Sequence, residues 1–337
     1  MQAEVEQALA RLFHAPMQVA RMQLLPGGAS KEAWLVDAAG ADGQKELLLR
    51  RAGGGVIYVD TLSLAAEHQV LQAAFAAGVK VPRTYGYIAD LAGREAFVMQ
   101  RVAGESIGRR IVQRPELAAA RGRLPLQMAE QLAKIHATPR ARLPALPYHG
   151  DPGLTAIERM IGRLEEGLDA SDEPHPALEL GVAWLRRQAP AVAACADTVL
   201  VHGDFRIGNL MVDAQGLVAV LDWEFAHLGD PVEDLAWPLV RAWRFGVDHL
   251  RLGGIGEVEP YLDHYNRLTG RNITAAQLFY WEVAGNIRWA IGSLTQARRH
   301  LSGQERSVEL AVLGRLACEM EYEVLSLIER EAYARPA

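Results

Sequence analysis

The stretch VHGDFRIGNLMV, residues 201–212, passes from apolar residues through a histidine, a glycine and an aspartate to an asparagine, then returns to apolar residues. Asp204 and Asn209 stand five positions apart on a loop between two strand-like runs, where a polar group without a partner is costly. LVAVLDW follows at 217–223, beyond a turn at Ala214 to Gly216. If the two β runs pair across that turn, the start of one and the end of the other share an edge, which sets Asn209 beside Asp222. An amide oxygen and a carboxylate converging there suit magnesium, a hard cation that keeps waters and phosphates as its remaining ligands. Asp204, just upstream, is then left to accept a proton.

The whole chain has the composition of an ordinary globular protein, with 337 residues, 50% hydrophobic and 23% charged. That length exceeds the size at which single cores usually divide, so one large or two modest domains are expected. Thirty-five basic and forty-one acidic residues give a net charge of −6, without a block of like charges, so no nucleic-acid footprint is present. The N-terminal MQAEVEQALARLF carries Glu4 and Glu6 where a secretion signal would be basic, and no stretch approaches the length of an apolar membrane span. Cys195 and Cys318 lack zinc or redox spacing and read as reduced, buried and inert thiols. A cytoplasmic address without membrane contact is the expectation.

Residues 1–103 read as a strand-rich unit with one long helix. An opening amphipathic helix (Val5, Leu9, Leu12, Phe13) precedes the strand candidates QVARMQLL, KEAWLVD and QKELLLRR, the last two joined as a hairpin. A helix follows, with Asp60 or Thr61 as N-cap, Leu62, Ala66, Val70 and Phe75 on a broad apolar face, and Gly78 as its stop. TYGYIAD and REAFVMQR complete the sheet. After the connector VAGESIG the pattern changes, and 104–337 is mainly helical except for the β runs at 198–222. DASDEPHP, at 169–176, reads as a polar loop.

The spacing of HGDFRIGN is also that of the protein-kinase catalytic loop, with a metal-binding aspartate further on. Together with LDWEFAHLGDPVEDLAW, it resembles the aminoglycoside phosphotransferase and choline kinase family of small-molecule kinases, on the branch associated with acyl-CoA dehydrogenases. The resemblance covers nearly the whole chain. It implies an α+β, protein kinase-like bilobal fold with a small antiparallel sheet and one long helix in the N-lobe and a large helical C-lobe. It makes Asp204 the catalytic base, Asn209 and Asp222 the Mg2+ ligands, His202 a structural support and Asp230 a brace for the catalytic loop. A second HGD, in YHGDPGLTA at 148–156, has alanine where the asparagine should be, so the bare tripeptide is not diagnostic.

The family likeness also places the nucleotide. Gly27, Gly28 and the amides near Ser30, in PGGASKEAW, would close over phosphates, although the loop is neither a Walker A motif nor a full G-x-G-x-x-G. Arg50 stands at the third-strand basic position with Glu67 as its partner; arginine departs from the usual lysine but still grips phosphate oxygens. FVMQRVAG, residues 97–104, would be the hinge that meets adenine, through Met99, Gln100 and Val102. The expected reaction is transfer of the γ-phosphoryl of ATP, with GTP an open alternative, to a hydroxyl of a small molecule. Acceptor identity and oligomeric state stay open.

Simpler roles exist for several of these residues. Arg50 and Glu67 also fit a surface ion pair of little value, Asp230 fits a helix N-cap ahead of Pro231, and Trp237, Trp243, Trp281 and Trp289 read as core. Two rivals remain. A nucleotide-binding pseudokinase or regulatory module would lack one of Asp204, Asn209 or Asp222, and all three are present. A metal hydrolase built on His202, Asp204 and Asp222 would need further His and carboxylate ligands.

Overall fold

The computed structural model describes residues 1–25, 31–53, 61–147, 153–171, 173–192, 195 and 197–334, with side chains to residue 331. The expected Gly27, Gly28, Ser30 and Asp60 contributions, and the first part of the 148–156 segment, lie outside those residues. After helix α1 (Gln2–Phe13), strands β1 (Met17–Leu24), β2 (Lys31–Gly40), β3 (Gly43–Ala52), β4 (Thr84–Ile88) and β5 (Ala96–Gln100) form one sheet in the order β1-β2-β3-β5-β4. Every neighbouring pair is antiparallel. Helix α2 (Leu64–Ala76) comes between β3 and β4 in the chain. This is the α+β arrangement expected of a kinase-like N-lobe.

Strand alternation explains how two helices cover this sheet. Leu47, Leu49, Ala96 and Val98 point to one face and share a core with Val5 and Leu9 of α1. Phe97 and Met99, on the other face, join Leu64, Val70, Leu71 and Ala74 of α2 in a core that runs on into the C-terminal half. The N-cap of α2 is Ser63, whose side chain accepts from the Ala66 amide, a short step beyond the expected Asp60 or Thr61. The connector is pinned where it leaves the sheet: the Glu105 amide donates to Val212 O at 2.8 Å, and the Val212 amide donates back at 3.0 Å.

The C-terminal half contains helices α3 (Gly108–Gln113), α4 (Ala118–Arg121), α5 (Leu124–His136), α6 (Ala156–Asp169), α7 (Pro176–Gln188), α8 (Pro231–Ala236), α9 (Val258–Thr269), α10 (Ala275–Leu301) and α11 (Val308–Ala334). Two small β elements interrupt them. β7 (Leu210–Asp213) and β8 (Gly216–Val220) form the expected hairpin, with Leu210 opposite Val220. β6 (Val199–Val201) pairs instead with β9 (His227–Gly229), a three-residue strand too short to register as a period-2 pattern. Cys195 is half-buried, but Cys318 is exposed on α11, which corrects the expectation of two buried thiols. Among the described residues, no helix is long and apolar enough to cross a membrane.

Because the Ser63 side chain accepts the Ala66 amide at the start of α2, where Glu95 Oε1 takes only the Leu64 amide, Ser63→Ala is expected to lower stability by about 1 kcal/mol. Chemical denaturation of the variant and the wild type measures the difference.

Candidate active site

The loop after β6 is held from several sides. Asp234, fully buried on α8, accepts from the amides of His202 (2.7 Å) and Gly203 (2.9 Å), and His136 Nε2 stands 3.3 Å from the same carboxylate. Arg288 of α10 donates to Gly203 O at 2.9 Å. Gly203 has φ 79°, and a Cβ there would collide with the backbone oxygen of Phe225, so glycine is required. His202 is wholly buried: its Nε2 donates to Leu221 O (3.0 Å) and its Nδ1 accepts from the Asp204 amide (3.2 Å). Those partners fix the neutral tautomer with the proton on Nε2 and leave neither nitrogen for a metal.

Asp204 is presented by this loop with a nearly complete set of donors. Its Oδ1 accepts from Trp237 Nε1 at 2.6 Å and from Arg206 Nε at 3.1 Å, and its Oδ2 accepts from Asn209 Nδ2 at 2.6 Å. A carboxylate offers about four lone-pair directions, so roughly one remains for a further donor. The Asn209 amide group also donates to Asp204 O at 2.9 Å, which leaves its Oδ1 as the free donor atom toward a cation. The β7–β8 pairing carries Asn209 to the end of β8, where the Leu221 amide donates to Asn209 O at 2.8 Å.

Asp222 follows directly, with φ 62°, a left-handed conformation that is uncommon outside glycine and that aspartate enters more readily than most side chains. Its Oδ1 is buried without a hydrogen bond, 3.5 Å from Arg50 Nη1. Arg50 Nε stands 3.5 Å from Glu67 Oε1, so the expected pair is brought together, and Lys31, which the sequence reading passed over, is closer to Glu67 at 2.8 Å. Burial opposes the Arg50 charge, but Glu67, Asp222 and Glu224 together raise its pKa above the ordinary arginine value. Met99 and Gln100 pair with Leu48 and Leu47 of β3, and Val102 lies between that pairing and the pinned Glu105.

Asp230, expected to brace the 202–204 loop, bonds elsewhere. It caps α8 through the Val232 amide (2.9 Å) and takes the Cys195 amide at 2.8 Å. Burial raises its pKa, and burial together with this neighbouring carboxylate pushes the Cys195 thiol up to about 12. The brace is Asp234, four residues on in the quoted motif, and one helical turn separates the two aspartates.

Asp204 and Asp222 both open onto a cavity of about 460 Å3 between α6, α8 and α10. Trp237, Trp281 and Trp289 form part of its wall, so the tryptophans expected in the core serve the core and the pocket together. Arg206 stacks on Trp243 with its guanidinium carbon 4.4 Å from the ring centre, and Arg288 stacks on Trp237 at 4.5 Å. At the rim His227 is buried between Phe225 O (2.9 Å from Nδ1) and Glu233 Oε2 (3.1 Å from Nε2). Glu233 also accepts from Arg288 at 2.7 Å. Burial opposes the imidazolium, but Glu233 raises the His227 pKa, and Glu233 is in turn lowered, its burial outweighed by His227, Arg288 and Arg163.

A family model described as the phosphotransferase enzyme family matches residues 21–275. The chain belongs to the phosphotransferase enzyme family. Acyl-CoA dehydrogenase family member 11 of Gallus gallus is 30% identical over 201 residues, which is 58% of this chain and 25% of that protein. This phosphotransferase chain spans between a quarter and a third of the length of such curated relatives. A solved structure from Ralstonia eutropha, assigned provisionally as an aminoglycoside phosphotransferase, superimposes with a TM-score of 0.73 at 23% identity, covering 98% of each chain. A thermostable mutant of aminoglycoside phosphotransferase APH(4)-Ia, in ternary complex with AMP-PNP and hygromycin B, gives a TM-score of 0.61 at 15% identity over 96% of this chain and 98% of that one. The fold of the phosphotransferase is therefore the kinase-like one.

The His227–Glu233 pair gives stability a defined pH dependence. The raised His227 value contributes stability that is full below 6.5 and fades as pH climbs through the folded-state pKa. The lowered Glu233 value contributes stability that is full above 4.5 and fades as pH falls through its folded-state pKa. Denaturant melts on both sides of neutrality should show wild type losing stability on the alkaline side more steeply than His227→Gln.

Proposed function

We propose that this chain transfers the γ-phosphoryl group of ATP to a hydroxyl of a small molecule, with Asp204 aligning that hydroxyl and accepting its proton. One observation carries the reading: Asp204, with a remaining acceptor direction, and Asp222, with a buried oxygen that has no hydrogen bond, face the same cavity. Phosphoryl transfer requires little covalent help from a protein, and it depends on in-line alignment and on compensation of spreading charge. Trp237, Arg206 and Asn209 hold the Asp204 carboxylate in one orientation, and Asp234 and Arg288 fix the loop beneath it.

The oxygens of Asn209 and Asp222 fit a divalent cation, since the Asp222 Oδ1 is buried without a hydrogen bond and the Asn209 Nδ2 is already committed. Magnesium bound there would supply charge neutralisation at the phosphates. Arg50, between Glu67 and Asp222, would hold the phosphate groups that are not transferred. Met99, Gln100 and Val102 would meet the nucleotide base, and Gly27, Gly28 and Ser30 would cover the phosphates. AMP-PNP in one structural neighbour and GDP in another support a nucleotide at this position, with adenine or guanine as its base.

The cavity lining mixes both signs: Arg159, Arg163, Arg206 and Arg288 stand with Asp204, Asp222, Glu224 and Glu233, and Arg206 and Arg288 are paired with Asp204 and Glu233.

Asp204→Asn is expected to lower kcat by about two to four orders of magnitude while leaving nucleotide affinity nearly intact. A panel of alcohols scored by coupled ADP release measures the first, and titration with AMP-PNP and magnesium measures the second. Turnover at the wild-type rate in the variant would remove Asp204 from the mechanism.

A further inference from the structure

Glu67 on α2 is 1% exposed and has two cations within reach, and they are bound in different ways. Lys31 Nζ donates to Glu67 Oε2 at 2.8 Å and to Leu62 O at 3.0 Å, and Glu224 Oε2 is 3.4 Å away. An ammonium has three donors, and three acceptors surround this one. Arg50 is held more loosely. Its Nε is buried without a hydrogen bond, and both of its carboxylate neighbours, Glu67 and Asp222, stand at 3.5 Å.

This contrast has an energetic reason. A buried carboxylate left without a cation is strongly unfavourable. If Arg50 were the sole counter-ion of Glu67, any movement toward a phosphate would strand that carboxylate. With Lys31 already seated on Glu67, the guanidinium is able to turn to another anion at little loss.

We propose that Lys31 is a positioning residue, the standing counter-ion of Glu67, whose presence releases Arg50 for the nucleotide phosphates. The inference rests on the nucleotide-binding reading above and adds a division of labour between the two cations. The same ammonium ties three parts of the cleft together: β2, where Lys31 sits, the entry to α2 through Leu62, and the segment just past Asp222 through Glu224. The Leu62 amide reinforces that last link by donating to Glu224 O at 2.8 Å.

The test measures the affinity of magnesium-AMP-PNP by titration calorimetry for wild type, Lys31→Met, Lys31→Arg and the double variant Lys31→Met/Glu67→Gln. Lys31→Met should weaken binding by about tenfold or more, because Arg50 is drawn onto Glu67. Lys31→Arg should recover most of the loss. The double variant has no buried carboxylate to claim Arg50, so it should bind at least about threefold more tightly than Lys31→Met. That recovery separates positioning from direct phosphate contact, since a lysine that touches phosphate cannot be replaced by removing Glu67. A double variant as weak as Lys31→Met, or wild-type affinity in Lys31→Met, would overturn the proposal. If Lys31→Met does not fold, Lys31→Gln, which removes the charge but keeps a hydrogen-bond donor toward Glu67, takes its place in the comparison. Wild type that binds no nucleotide would overturn the functional reading itself, a result distinct from the other two.

Discussion

The Asp234 carboxylate, buried in the first turn of α8, takes the amides of His202 and Gly203 and so sets the path of the loop that ends in Asp204. Other constraints build on it. Arg288 closes on the carbonyl of Gly203, His202 bridges the loop to Leu221, and the Asp204 amide returns to the His202 ring. Gly203 alone permits the turn, because its φ of 79° and the nearby Phe225 oxygen exclude a side chain. A set of bonds with every polar atom satisfied is stiff, and stiffness at this point is what an aligning carboxylate requires.

A second set of charges crosses the cleft. Lys31 and Arg50 come from the sheet, Glu67 from α2, and Asp222 and Glu224 from the segment after β8. Two cations facing three carboxylates leave an excess of negative charge where a metal-bound nucleotide would sit. Further in, four arginines join the cavity lining, two of them stacked on indoles, beside four carboxylates of which Asp222 and Glu224 belong to both sets.

Much of this was legible in the sequence, for identifiable reasons. Alternation in KEAWLVD and QKELLLRR revealed the hairpin of β2 and β3, and the switch to helical periodicity beyond VAGESIG marked the second lobe. The link from Asn209 to Leu221, the residue before Asp222, followed from a hairpin that the structure contains. What escaped depended on tertiary placement. Lys31 reaches Glu67 across 36 residues of chain, and no local spacing reports such a pair. Asp230 and Asp234 both lie in GDPVED, and only the direction in which α8 packs decides which one meets the loop. Trp237 looked like a core residue and is one, yet its indole nitrogen is also the shortest donor to Asp204 Oδ1. β9 was too short to register as a strand and became visible only beside β6.

The most direct measurement of the central claim is the kcat of Asp234→Asn, a change that keeps shape but removes one of the two acceptor oxygens. The account predicts a folded protein with nucleotide affinity close to wild type and a kcat lower by about a hundredfold, since a misplacement of about 1 Å at a reacting group has that consequence. A folded variant that turns over at the wild-type rate would contradict it, because Asp204 would then hold its position without the carboxylate beneath its loop.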